Sequence, residues 1–77
     1  MKLNERDRIN WARRDVASAL GNLTGAAEFT DRIIGNGSAH VERLTAVRQQ
    51  LWTMADVARD VERELAEIHA AERQTTH

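Results

Sequence analysis

Apolar residues recur at Leu44, Val47, Leu51, Met54, Ala58, Val61, Leu65 and Ile68, in alternating steps of three and four. Such steps return the side chain to one side of an α-helix, so this is an a/d heptad stripe. An earlier stretch has the same rhythm at Ile9, Ala12, Val16, Ala19, Leu23, Ala26, Thr30 and Ile33. Its d positions Ala12, Ala19 and Ala26 are small, which lets a partner helix approach closely. A surplus apolar row runs beside each stripe at the e positions: Leu20, Ala27 and Ile34 in the first stretch, Val41 and Ala55 in the second, with Trp52 flanking it.

The pattern predicts an all-α chain with one helix over about 4–34 and another over about 39–71. Asn4 is placed to cap the first, and Glu5 and Asp7 suit the positive end of its dipole. Gly21 and Gly25 interrupt it, each costing about 1 kcal/mol relative to Ala in a helix interior, and a kink is expected there. Gly35-Asn36-Gly37-Ser38 punctuates the chain. Gly35 is expected in a left-handed C′ conformation and Ser38 as the next N-cap. A link this short makes the flanking helices antiparallel neighbours. Residues 72–77 lack periodicity and are expected to fray.

Folding about that turn brings residue i near residue 73 to 75 minus i, which sets Arg13 beside Glu62 and, one residue outside that range, Arg8 near Glu64. The basic start (Lys2, Arg6, Arg8, Arg13, Arg14) then lies along the acidic end (Asp56, Asp60, Glu62, Glu64, Glu67, Glu72). The a/d stripes cover one another, and the e row is left over. A single seam has to oppose the ordering of more than sixty residues at about 1–2 kcal/mol each. The chain is therefore expected to be one domain over 1–77 that dimerises into a four-helix bundle. Leu20, Ala27, Ile34, Val41, Trp52 and Ala55 would form the interface.

Composition narrows the chemistry. A chain of 77 residues without Cys has neither disulfides nor thiolate metal sites to support a small core. No apolar run approaches the ~20 residues of a membrane span, and the N-terminus lacks the apolar core of a signal peptide; a cytoplasmic protein is expected. A net charge of −1 gives no global attraction to nucleic acid. Ten Arg to one Lys suggest a GC-rich genome, such as an actinobacterium or its phage.

Candidate chemistry is sparse. Asp56, Asp60 and Glu64 share one flank, but Arg59 and Arg63 are interleaved, and Glu67-x-His69 sends its two side chains to different faces. This reads as a solvated charged face rather than a metal site, and no metal or cofactor is expected. His40, His69 and His77 are scattered, and no nucleophile–base grouping accompanies them. Helical hairpins of the W-x-G family carry Trp-x-Gly in the turn, whereas the turn here reads Ile34-Gly35-Asn36-Gly37 and both Trp lie mid-helix; no family is assigned.

The expected function is a non-enzymatic protein-interaction module: an adaptor, inhibitor, assembly factor or small chaperone. It would work as a homodimer with a protein partner. Trp11, Arg6, Arg13 and Arg14 are the candidates for meeting that partner. The alternative is a DNA- or RNA-binding regulator. It would use either the basic N-terminal end or segment 16–34, where Ala17 and Gly21 fall at helix-turn-helix spacing and a second helix would begin at Thr24. Against it, that second helix carries Glu28 and Asp31 with Arg32 as its single basic residue, where phosphates call for a basic surface.

Overall fold

The computed structural model describes residues 4–75 as two long helices, α1 (Glu5–Gly35) and α2 (Val41–Thr75), packed side by side as an antiparallel hairpin. The result is a single layer of 59 × 23 × 13 Å. Its radius of gyration is 17.3 Å, against about 11–12 Å for a compact domain of this length.

α1 starts as the sequence predicts. Asn4 is in extended conformation, and its Oδ1 accepts from the Asp7 amide at 2.8 Å, with Glu5 and Asp7 in the first turn. The helix then runs unbroken through Gly21 and Gly25. The Thr24 hydroxyl donates to the Gly21 carbonyl at 3.1 Å, an interaction contained within the helix. No second helix starts at Thr24, so segment 16–34 lacks the turn of a helix-turn-helix.

The connection differs from expectation in where its special conformations fall. Gly35 is still helical, and Asn36 caps the helix with its amide directed at Arg32, Ile33 and Ile34 carbonyls. The left-handed residue is Gly37, at φ 84°. Ser38 does not cap α2: its Oγ accepts from the His40 amide at 3.0 Å, and the first α2 bond runs from the Leu44 amide to the His40 carbonyl at 2.9 Å. α2 thus begins at Val41, two residues later than predicted. It also continues through residues 72–75, which were expected to fray; Thr76, His77 and Lys2 lie outside the described residues.

The longer connection moves the register. Val16 and Val61, Ala19 and Ala58, and Leu23 and Met54 border one shared hollow, so residue i of α1 lies level with roughly residue 77 minus i of α2. The Arg13–Glu62 pair survives this shift at 3.9 Å, because the Arg side chain is long enough to span it.

The seam itself is a/e rather than a/d. Along α1 the a residues Ile9, Val16, Leu23 and Thr30 and the e residues Arg13, Leu20, Ala27 and Ile34 are half-buried or buried. Along α2 the same holds for Leu44, Leu51, Ala58 and Leu65 and for Arg48, Ala55, Glu62 and His69. Every d residue is exposed: Ala12, Ala19, Ala26 and Ile33 on α1, Val47, Met54, Val61 and Ile68 on α2. The expected division of labour is therefore reversed. Ala27 and Ala55, assigned to a dimer contact, are fully buried inside the hairpin. The physical reason lies in what the e rows contain. Ala27 and Ala55 let the backbones close in, while Arg13 reaches Glu62 across the same side and Arg48 pairs with Asp31. Thr30, the one buried polar residue described, donates its hydroxyl to the Ala26 carbonyl at 2.8 Å and so enters the seam with its hydrogen bond made.

Candidate functional site

The rows left out of the seam set the geometry of the surface. At 3.6 residues per turn, the d residues lie roughly 60° to one side of the a residues and the e residues roughly 40° to the other. Because the helices are antiparallel, the d rows of α1 and α2 emerge on the same broad face of the layer. Val16, Ala19, Leu23, Met54, Val57, Ala58 and Val61, with Thr53, border an open and almost wholly apolar trough there. Nearer the turn, Ile33, Leu44 and Val47 continue it, joined by Ser38, His40 and Arg43. Met54 and Val57 are more than half exposed. Burying a side chain of this size contributes roughly 1.5–3 kcal/mol, which the hairpin alone leaves unrealised.

The opposite face is polar. Glu28, Asp31, Arg32 and Arg48 surround Trp52, which is half-buried. Trp52 therefore flanks the e row, as its position suggested, but on the polar face, away from the exposed d rows. Further along α2, Arg59 binds Asp56 at 2.7 Å and Arg63 lies 3.7 Å from Asp60, so these two carboxylates of the acidic flank are charge-paired along their own helix. No group of three or more metal-ligating side chains occurs among the described residues, and no helix there is long and apolar enough to cross a membrane.

The residues singled out by sequence separate into different places. Leu20, Ala27, Ile34 and Ala55 belong to the hairpin seam. Val41, at the start of α2, is 40% exposed. Arg13 is engaged twice, with Nη2 donating to Asn10 Oδ1 at 2.9 Å and Nη1 near Glu62. Arg6 is half-buried at the open end, bordering a hollow with Asn4, Glu5 and Glu72. Trp11 stands out from α1 at 55% exposure, with the Arg14 guanidinium 5.5 Å from its ring centroid. Sequence reasoning passed over Phe29, which is the most exposed of the large apolar side chains described, at 63%. It occupies a g position outside both seams, and that placement was the available signal. Between Trp11 and Phe29 the outer edge of α1 carries Ser18, Gly21 and Gly25, and a Cβ added at either glycine would meet nothing within 4 Å.

No family model matches this sequence, and no curated protein or solved structure is significantly similar to it.

Proposed function

We propose that the chain is a non-enzymatic protein-interaction module, an adaptor, inhibitor or assembly factor, that works as a homodimeric four-helix bundle. The observation that carries this reading is the exposed apolar face. Its centre lies roughly 80–110° round each helix from the hairpin seam, taking 3.6 residues per turn. A helix in a square four-helix bundle meets its second neighbour at about that angle. The surface area points the same way. The hairpin exposes 6008 Å², whereas a compact monomer of its mass exposes about 4,700 Å². The excess exceeds the ~800 Å² that each partner contributes to a standard interface. In such a dimer the outer edge of α1, with Trp11, stays free to meet a different protein, while Phe29, at the g position that Val57 holds on α2, flanks the covered face.

Sedimentation equilibrium at micromolar concentration tests the reading. The expected species has twice the 8.7 kDa chain mass, and Met54→Glu combined with Val61→Glu converts it to a poorly helical monomer. A fully helical wild-type monomer overturns it. For the outer edge, Trp11→Ala is expected to keep the dimer and to lose a protein that the wild type captures from cells of its source.

A further inference from the structure

We infer that the second copy docks with its turn at the same end, so that α1 of each hairpin lies across from α2 of the other. This inference rests on the dimer reading above and adds its topology. Two hairpins laid face to face by a twofold axis have two choices. With the axis along the helices, the turns share an end and α1 faces the other copy's α2. With the axis across the helices, the turns lie at opposite ends, and each helix faces its own counterpart.

Side-chain volume decides between them. The exposed d row of α1 is Ala12, Ala19, Ala26 and Ile33; that of α2 is Val47, Met54, Val61 and Ile68. One row is small for most of its length and the other is large throughout. Turns together, each large row meets a small one and both new helix pairs have equal spacing. The register adds to this. Residue i of α1 is level with about residue 77 minus i of α2, as the shared trough shows. Val61, Met54 and Val47 of one copy then fall at levels between Ala12, Ala19, Ala26 and Ile33 of the other, with Ile68 just beyond Ala12, so the rows interdigitate instead of colliding. Turns apart, alanines oppose alanines and the large row opposes itself. One helix pair would close to about 8 Å while the other stayed near 10 Å, opening the bundle into a wedge. Helix polarity does not separate the choices, because neighbouring helices are antiparallel in both.

The sequence has no Cys, so a single spin label can be introduced cleanly. Asn36→Cys at the exposed turn and, separately, Glu5→Cys at the exposed open end place it at the two ends of α1. Dipolar spectroscopy on each labelled dimer, with its mass checked by sedimentation, reads the separation of the two copies' labels. Both sites are expected to give short distances, about 10–25 Å for helices packed at 8–10 Å spacing. Distances of about 45 Å from both sites, the length of the 31-residue α1 at 1.5 Å per residue, in a dimeric sample overturn the shared-end topology and leave the dimer standing. A monomeric mass for the unlabelled wild type overturns the dimer itself.

Discussion

The Arg13 guanidinium on α1 lies 3.9 Å from the Glu62 carboxylate on α2, and the same guanidinium accepts orientation from Asn10 one turn earlier, to which it donates at 2.9 Å. Both ionic side chains are about one-third exposed, so the pair is solvent-screened and works mainly through register. Arg13→Glu places two carboxylates across the seam. The expected loss is ~0.5–1 kcal/mol by thermal or urea unfolding. Adding Glu62→Arg restores most of it; a double variant no more stable than Arg13→Glu alone would show that the two residues do not meet.

The seam closes most tightly at two alanines. Ala27 and Ala55 are fully buried, and no large side chain is fully buried among the described residues. Ala55→Leu therefore has nowhere to place its added methylenes without parting the helices. It is expected to destabilise the fold by about 1–3 kcal/mol, read as a lowered urea midpoint. Unchanged stability would mean that the helices do not approach closely there.

The glycines separate into opposite kinds. Gly21 and Gly25 are helical, and a Cβ at either meets only open space. Gly21→Ala and Gly25→Ala are each expected to stabilise the helix by about 0.8–1 kcal/mol. Gly37 has φ 84°, and Gly37→Ala is expected to cost on the order of 1 kcal/mol. Circular dichroism melts of the three variants check both signs. A destabilised Gly25→Ala would place another backbone against that edge.

The rhythm of three and four established two helices and the a positions of both, and the short link between them their antiparallel pairing, because these depend on local spacing and link length alone. The Asn4 cap was equally local. Which neighbouring row joins the a row in the seam was not legible, since d and e are both rich in apolar residues. That choice depends on contacts between distant positions: Ala27 and Ala55 permitting close approach, Arg13 reaching Glu62, Arg48 reaching Asp31. The same ambiguity assigned Leu20, Ala27, Ile34 and Ala55 to a dimer contact, whereas they lie in the hairpin seam. The open face was present in the sequence as Val47, Met54, Val61 and Ile68, but read as already covered. At the turn, two glycines within three positions left the left-handed site undetermined, and its placement at Gly37 moved the start of α2.

The five-residue connection between Gly35 and Val41 also orders events in time. Bringing Ile33 to Leu44 closes a loop of about ten residues, whereas joining Arg6 to Glu72 from an open chain closes one of more than sixty. Closure entropy rises with loop length, and contacts near in sequence form sooner. Once the turn end is in place, each further layer of the seam adds only a few residues to an existing zipper. The hairpin is accordingly expected to nucleate beside Gly37 and grow toward Asn4, with the Arg13–Glu62 end the last part to close and the first to separate.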